Sequence, residues 1–379
     1  MRLASVSDYR EAARRRLPRV LFDYIDGGSY AEQTLAANVA DIQALRLRQR
    51  VLKDVSRIST QTEVFGQTLA MPVVLAPVGL AGMNARRGEA QAARAARAAD
   101  VPFTLSTVGV CTIDEVARSA GAPPWFQLYM VKDRGFMAEV LAMAEAAGCP
   151  VLFFTVDLAV PGTRYRDQRN GMLATTNAQR LAQVMDGLAH PAWLWDVQIN
   201  GGPHTLGTVA GAAKDLKRLV EFMTWIGRNF DSAITWDDLA WVRARWKGPI
   251  VIKGVLDVTD ARTATDVGAD GIVVSNHGGR QLDGASSSIR ALSPIAQAVG
   301  DRTTVLMDGG VRSGLDVLKA LASGARACLI GRAWAWALGA RGEAGVAHML
   351  QILRAELRVA MALTGCTDVN SASADLLAD

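Results

Sequence analysis

The segment SNHGGRQLDG, residues 275–284, combines side chains that could carry out a reaction. His277 and Arg280 stand three residues apart, with Gly278 and Gly279 between them. An imidazole accepts a proton near neutral pH, and a guanidinium holds a carboxylate through two parallel hydrogen bonds. The glycines let backbone and substrate approach closely. The pair predicts oxidation of a small acid at the carbon that bears its hydroxyl group. The alternative is a surface loop in which both side chains are merely solvated.

Eight short runs of mostly apolar residues predict the strands that position this segment. They cover residues 71–76, 102–105, 125–129, 151–155, 250–253, 271–274, 304–307 and 327–330. Ala-rich helical stretches separate most of them, and eight strands alternating with helices are typical of a TIM (β/α)8 barrel. A doubly wound open sheet is the competing architecture, but no G-x-G-x-x-G turn follows the first run. We predict one domain over residues 1–379, with a helical extension, 1–61, before the barrel, 62–379.

In the extension, Ser7 followed by Glu11 predicts the start of a helix, and the Asp26-Gly27-Gly28 sequence predicts its end. From the residues alone, a helix C-cap is the favoured interpretation of Tyr24 and Asp26.

Polar residues end the predicted strands, and in a barrel these ends meet at the mouth where the chemistry collects. The first six ends carry Pro77-Val78-Gly79, Ser106, Gln127 with Tyr129, Thr155 with Asp157, Lys253, and Ser275. Lys253 could stabilise negative charge on a reduced flavin, and Ser106, Gln127 and Thr155 could bind its polar edge. Helix capping is the simpler alternative for each hydroxyl.

The last two strand ends carry glycine and arginine, namely Asp308, Gly309, Gly310, Arg312, Gly331 and Arg332. Barrels commonly bind phosphate there through backbone N–H groups and a helix start. A phosphate group belongs either to a substrate or to a cofactor.

The connection between the fourth and fifth strands is far longer than a βα unit requires. We place an insertion at residues 171–248. It contains most of the nine tryptophans, namely Trp193, Trp195, Trp225, Trp236, Trp241 and Trp246. This enrichment fits contact with a membrane interface. It fits a lid or an oligomer contact equally well.

Composition excludes several other classes of function. Half of the 379 residues are hydrophobic, so a large core is easily filled, and the net charge of +4 comes without a nucleic-acid-binding motif. The four cysteines are widely spaced, which predicts neither a metal site nor a disulfide framework. The first residues contain no long apolar core, so we expect no secretory signal peptide, and no run reaches the roughly 18 apolar residues of a spanning helix. We therefore expect a cytoplasmic protein.

The chain resembles the FMN-dependent α-hydroxy-acid oxidising enzymes, especially the membrane-associated respiratory branch of bacteria that oxidises L-lactate. The resemblance depends on YIDGG at 24–28, LAPVG at 75–79, FQLY at 126–129, TVD at 155–157, IKG at 252–254, SNHGGRQLDG and DGGVRSG at 308–314. SNHGGRQLDG alone is highly specific for the family. The likeness extends from SDYR at 7–10 to MALTG at 361–365, so it covers nearly the whole chain.

The resemblance implies a role for each matching residue. His277 would be the base, Asp157 would stabilise its imidazolium, and Tyr129 would contact the substrate hydroxyl. Arg280, Arg164 and Tyr24 would hold the substrate carboxylate, which overrides the C-cap interpretation of Tyr24. FMN would be bound by Pro77, Val78, Gly79, Ser106, Gln127, Thr155, Lys253 and Ser275, and its phosphate by Asp308, Gly309, Gly310, Arg312, Gly331 and Arg332.

The resemblance also implies partners. It predicts oxidation of L-lactate to pyruvate, a quinone or another respiratory carrier as electron acceptor, a homotetramer, and peripheral attachment to the cytoplasmic face of the inner membrane through the insertion. Gly79 stands where many relatives have alanine, which bears on the access of oxygen. The alternatives are an L-mandelate dehydrogenase, an oxygen-using oxidase or monooxygenase of the same family, a flavin-dependent isomerase and a flavin-loaded scaffold.

Overall fold

A barrel of eight parallel strands forms the centre of the protein, and the computed structural model describes residues 3–172, 176–211 and 219–378. The strands are β1 (Val73–Leu75), β2 (Thr104–Ser106), β3 (Trp125–Leu128), β4 (Leu152–Thr155), β5 (Ile250–Val255), β6 (Gly271–Val274), β7 (Thr304–Met307) and β8 (Ala327–Ile330). Neighbouring strands pair in the order β1-β8-β7-β6-β5-β4-β3-β2. A parallel bridge between Leu75 and Phe103 joins the two ends of this sheet. The TIM barrel prediction is thus confirmed.

Proline and glycine explain where predicted and observed strand ends differ. The predicted runs 271–274, 304–307 and 327–330 match β6, β7 and β8, whereas β1 and β2 begin later than predicted. Pro72 and Pro102 lack the N–H that a ladder needs, so regular pairing starts only after them. β5 runs two residues further than predicted, and its register with β6 shifts between Lys253 and Val255, where Gly254 has a φ of +113°.

The helices surround the barrel, precede it and fill its long connection. They are α1 (Val6–Arg16), α2 (Arg19–Asp26), α3 (Gln33–Ala44), α4 (Gly88–Ala98), α5 (Ile113–Ala120), α6 (Arg134–Ala146), α7 (Tyr165–Arg169), α8 (Asn177–Leu188), α9 (Pro191–Trp193), α10 (Leu219–Asn229), α11 (Asp237–Arg243), α12 (Val258–Asp266), α13 (Ser288–Val299), α14 (Gly314–Ala322) and α15 (Arg332–Thr364). A π-helical turn, Leu194–Ile199, follows α9.

The first helix begins two residues earlier than the sequence predicted. Ser5, rather than Ser7, caps α1, because its side chain accepts the backbone N–H of Asp8 while the Asp8 carboxylate accepts the N–H of Ser5. The helical stretch is also two helices, since Leu17 adopts an extended conformation before Pro18. The predicted end at Asp26 is correct, and Gly27 forms the cap of α2.

A separate apolar cluster fills the interior of the barrel. It joins inward-facing strand residues such as Trp125 and Phe153, whose rings stack 5.7 Å apart, to the hairpin of strands Thr62–Val64 and Gln67–Leu69. Phe65 at the tip of this hairpin packs edge-on against Trp125. One end of the barrel is therefore packed solid, which leaves the carboxyl ends of the strands as the open end.

The tryptophans of the insertion mostly face inward. Trp193 and Trp246 are buried, and Trp225, Trp236 and Trp241 pack partly buried against the core. Only Trp195 among these six is strongly exposed, at 65%. Tryptophan content by itself is thus a weak argument for membrane contact.

Candidate active site

A cavity of about 430 Å³ opens at the carboxyl ends of the strands. Most of the residues predicted from the sequence line it: Tyr24, Pro77, Val78, Gly79, Tyr129, Thr155, Arg164, Lys253, His277, Arg280, Asp308, Gly309, Gly310, Arg312, Gly331 and Arg332. The lining does not include Asp157, Ser106, Gln127 and Ser275, of which Asp157 bonds to His277 and Ser275 to Lys253. The structure therefore brings together side chains that are up to 308 positions apart in the chain, from Tyr24 to Arg332.

His277 lies between a carboxylate and a phenol. Its Nδ1 is 2.8 Å from Oδ1 of Asp157, and its Nε2 is 3.3 Å from the hydroxyl of Tyr129. Burial alone would raise the pKa of Asp157, but the His277 imidazole and the Lys253 ammonium lower this pKa below its ordinary value. An ionised Asp157 must accept a hydrogen bond, so it selects the tautomer with the proton on Nδ1 and leaves the lone pair of Nε2 toward Tyr129.

The backbone holds His277 in an uncommon conformation. Its φ is +58°, in the left-handed region that only glycine adopts freely. Its N–H donates to Oγ of Ser275 at 3.0 Å, and Gly278 and Gly279 continue with positive φ. The turn after β6 thus directs the imidazole toward Asp157. Glycine suits the two positions after His277 because they also have positive φ.

Two arginines flank the aromatic ring of Tyr24. The guanidinium carbons of Arg280 and Arg164 lie 5.0 Å and 5.6 Å from the ring centroid. Burial, and then the charge of Arg164, lowers the pKa of Arg280 to about 10. Arg280 forms no ion pair within the described residues. Bringing a substrate carboxylate between these like charges would relieve their repulsion.

The C-terminal end of α2 orients two of the arginines. Arg280 donates from Nη1 to the carbonyls of Tyr24 (2.6 Å) and Gly27 (3.0 Å). Arg332 donates to the carbonyls of Asp26 (3.1 Å), Gly27 (2.7 Å) and Gly278 (2.8 Å). The carbonyls that a helix leaves unpaired at its end thus serve as arginine acceptors.

The carboxylate of Asp26 is a structural link that the sequence did not reveal. It is buried and forms hydrogen bonds with Arg10 at 2.6 Å and Arg166 at 2.8 Å. Burial would raise the pKa of Asp26, but these two guanidiniums lower it below its ordinary value. Asp26 thereby ties α1 and α7 to the end of α2. The YIDGG motif carried the only signal for it, and that signal also fitted a helix cap.

The residues predicted to bind a flavin ring have unused polar groups. Ser106 donates from Oγ to Oε1 of Gln127 at 2.9 Å, while Nε2 of Gln127 and Oγ1 of Thr155 are buried without a partner among the described residues. Buried polar groups normally have a partner, so these two call for a bound molecule with polar edges. An isoalloxazine ring offers such edges, and the residues present therefore fit it.

Lys253 supplies a fixed positive charge next to this region. Its ammonium lies 2.7 Å from Oδ2 of Asp308 and 3.0 Å from Oγ of Ser275. Burial would lower the pKa of Lys253, but the carboxylates of Asp308 and Asp157 raise it above its ordinary value. The lysine therefore remains a cation although it is buried.

Arg312, in the loop after β7, and Arg332, the first residue of α15, are partly buried in the cavity lining. In the part of the chain that the structure describes, neither forms an ion pair with a carboxylate, and Arg332 donates to backbone carbonyls instead. Burial lowers the pKa of Arg312 to about 10 and that of Arg332 well below its ordinary value. Gly309 and Gly310, with φ values of +94° and +92°, lie in the same lining. Partly buried cations beside glycine backbone fit a phosphate group.

Apolar side chains that the sequence did not single out complete the lining. They include Val108, Leu158, Met172 and Phe230, and the last three come from the long connection between β4 and β5. No periodic pattern links these residues to the barrel. Their place at the cavity depends on how the connection folds.

Comparisons of sequence and fold show which known proteins the chain resembles. A model of the family described as FMN-dependent dehydrogenase matches residues 13–379. An L-lactate dehydrogenase of Caulobacter sp. (strain K31) is 59% identical over 378 residues, covering 100% of this chain and 99% of the relative. One from Pseudomonas aeruginosa (strain LESB58) is 55% identical over 377 residues, with 100% and 98% covered. Among solved structures, the monotopic membrane protein (S)-mandelate dehydrogenase has a TM-score of 0.92 at 38% identity, with both chains fully covered. A mandelate oxidase has a TM-score of 0.84 at 40% identity, covering 100% of this chain and 98% of its own.

Proposed function

The chain belongs to the FMN-dependent dehydrogenase family, and from this premise we propose that it oxidises L-lactate to pyruvate. One observation carries the proposal. His277, hydrogen-bonded to Asp157, lines the same cavity as Arg164 and Arg280, and Arg280 forms no ion pair within the described residues. The choice of L-lactate over L-mandelate is supported by the relatives named L-lactate dehydrogenase, which are 54–60% identical, whereas the mandelate-oxidising structures are 36–40% identical.

In the proposed mechanism, Arg280, Arg164 and Tyr24 bind the substrate carboxylate. His277 then accepts a proton from the substrate at Nε2, because Nδ1 already carries the proton shared with Asp157. The Asp157 carboxylate stabilises the resulting imidazolium at 2.8 Å. A positioned base of this kind contributes about 10² to 10⁴ in rate.

Tyr129 and Lys253 are the other two polar residues in the proposed mechanism. Burial, and then the Asp157 carboxylate, raises the pKa of Tyr129 above its ordinary value, so the phenol keeps its proton and donates to the substrate hydroxyl. When bound, FMN would supply the acceptor for the two electrons and the second hydrogen that the substrate loses. The ammonium of Lys253 would counter negative charge on the reduced group.

The proposed substrate can be tested with a panel of acids. Purified holoprotein should reduce an artificial electron acceptor with L-lactate at a higher kcat/KM than with L-mandelate or D-lactate. Peroxide release under air should be small beside turnover with the acceptor. A preference for mandelate, or peroxide formed as fast as pyruvate, would assign the chain to one of the related activities instead.

We also propose that the insertion attaches the protein to the cytoplasmic face of the inner membrane, where a quinone or another respiratory carrier accepts the electrons. In support, Leu181, Val184, Met185 and Leu188 are all more than half exposed and recur on one face of α8. Trp195 and Ile199, in the π-helical turn that follows α9, are also more than half exposed. Such a surface suits an interfacial helix. Within the described residues, no helix is long and apolar enough to cross a bilayer.

Sedimentation with vesicles tests the attachment. Leu181→Ser/Leu188→Ser should leave the protein in the supernatant and preserve turnover with a water-soluble acceptor. Val359→Ser/Leu363→Ser is the matched control, since these residues are similarly exposed on α15. Equal loss of sedimentation in both variants would contradict a role for α8.

The family resemblance further supports a homotetramer, which a measured mass of four chains in detergent would establish.

A further inference from the structure

Phe230 connects the insertion to the catalytic groups. Its ring centroid lies 4.9 Å from that of Tyr129, with an angle of 34° between the planes. The hydroxyl of Tyr129 is in turn 3.3 Å from Nε2 of His277. Phe230 is only 6% exposed, and it lines the cavity. Only the side chain of Tyr129 therefore separates the Phe230 ring from His277, the proposed base.

The backbone on both sides of Phe230 is fixed to the loop after β3. Phe230 forms an antiparallel bridge with Val131, and the amides of Lys132 and Asp231 bond to the carbonyls of Asn229 (2.9 Å) and Met130 (3.0 Å). This short ladder prevents the segment from swinging away as a free loop would. The position of the Phe230 ring is thus determined by the barrel as well as by the insertion.

An ionic link strengthens the same attachment. Arg134, at the start of α6, contacts the carboxylates of Asp231 at 2.6 Å and Asp238 at 2.8 Å. Lys132 donates from Nζ to the carbonyl of Arg228 at 2.8 Å. Both groups lie outside the cavity lining. They therefore brace Phe230 without taking part in the chemistry.

The groups of the substrate that the other residues bind leave only its side chain to contact Phe230. The clamp of Arg280 and Arg164 takes the carboxylate, and His277 with Tyr129 takes the carbon that bears the hydroxyl. The remaining substituent is the side chain of the acid, and apolar lining is what suits it. That lining includes Leu158, Met172 and Phe230, of which Phe230 packs on Tyr129.

We infer that Phe230 sets the upper size of the acid side chain, so that the insertion is a specificity element of the active site as well as an attachment segment. The inference rests on the proposed 2-hydroxy-acid oxidation. It assigns a residue from outside the barrel strands to substrate selection. A braced aromatic ring cannot yield to a longer side chain, whereas an alanine would open space for one.

The test is Phe230→Ala in the holoprotein, with lactate and 2-hydroxyhexanoate as substrates. One methylene gained or lost in an apolar pocket changes discrimination by about 10- to 200-fold, so the ratio of kcat/KM for the longer acid over lactate should rise by at least about 10-fold. A second readout is binding to the oxidised flavoprotein, followed by flavin absorbance. The Kd of 2-oxohexanoate should fall, and the Kd of oxalate, which has no side chain, should change less than threefold.

Two further variants make the outcome decisive. Phe136→Ala makes the same change on α6, outside the cavity lining, and should leave the ratio unaltered. Phe230→Leu keeps an apolar residue if the alanine variant does not fold, and should shift the ratio in the same direction. An unchanged ratio and unchanged Kd values in a folded Phe230 variant would overturn the inference. Failure of the unmodified protein to oxidise any 2-hydroxy acid would instead overturn the proposed function.

Discussion

Arg280→Lys tests whether Arg280 binds the substrate carboxylate. The substitution keeps the positive charge but removes the planar guanidinium that can donate two parallel hydrogen bonds. Nη1 of Arg280 is already occupied by the carbonyls of Tyr24 and Gly27. Its Nε and Nη2 form no hydrogen bond within the described residues and are therefore the pair that can grip a carboxylate. Lysine has a single ammonium, so it cannot hold the carbonyls of α2 and two carboxylate oxygens at the same time.

The size of the effect follows from the bonds lost. A hydrogen bond to a charged group is worth about 1.5–3 kcal/mol. Losing one of two such bonds should lower kcat/KM by about 10- to 150-fold, since each 1.4 kcal/mol is a factor of ten.

The loss of kcat/KM in Arg280→Lys should grow at alkaline pH. Burial and the Arg164 charge already lower the pKa of Arg280 to about 10. The same environment acts on lysine, whose ordinary pKa is only about 10.4. The cation that binds the carboxylate is present at low pH and disappears as pH rises.

The assay is kcat/KM for L-lactate with a soluble electron acceptor between pH 6.5 and 9.5, together with the Kd of oxalate. Arg290→Lys is the matched control, because the Arg290 side chain is 72% exposed and pairs with Asp41 at the surface. Control kinetics should equal those of the unmodified protein. Kinetics within threefold in Arg280→Lys, with an unchanged pH profile, would show that the carboxylate binds elsewhere.

The remaining predictions concern charged side chains in the cavity lining and next to it. Asp157→Asn should lower kcat by about 10² to 10⁴ through loss of imidazolium stabilisation; an oxalate Kd that worsens by the same factor would contradict this role. Asp26→Asn should cost roughly 1–3 kcal/mol of unfolding free energy at pH 7. Burial would raise the pKa of Asp26, but its two arginines lower it, so this stability is lost as pH falls through the lowered pKa; a deficit that does not shrink at all as pH falls from 7 to the acid limit of the folded state would contradict the assignment. Lys253→Met should destabilise the fold by roughly 3–5 kcal/mol, because it leaves a buried carboxylate unpaired; adding Asp308→Asn should restore part of the loss, and no restoration would argue against the pair.

The barrel and most of its mouth were predictable because their signals are local. A β-branched run that ends in polar and glycine residues marks both a strand and the group it delivers, and this pattern located His277, Lys253 and the loop at Asp308. The barrel topology then brings these residues together, since the carboxyl ends of its parallel strands meet at one face. Strand ends were less predictable where Pro72 and Pro102 remove ladder donors.

Contacts made by the long connection were not predictable in the same way. Phe230 reaches Tyr129 through a bridge to residues about a hundred positions earlier, and no periodicity records such a contact. Asp26 carries a signal that a helix cap explains equally well, although its carboxylate joins three helices. The tryptophan count suggested an exposed surface, yet burial differs from one tryptophan to the next, and only Trp195 of the six is strongly exposed.

Anaerobic mixing with L-lactate tests the central claim most directly. The unmodified holoprotein should lose its flavin absorbance within the mixing experiment, because His277 and the arginines act on the same bound acid. His277→Gln should retain FMN and its colour, and its flavin should bleach at least about 10²-fold more slowly. Bleaching of the variant at the unmodified rate would contradict the assignment of His277 as the base, and no bleaching of the unmodified protein would contradict the proposed reaction itself.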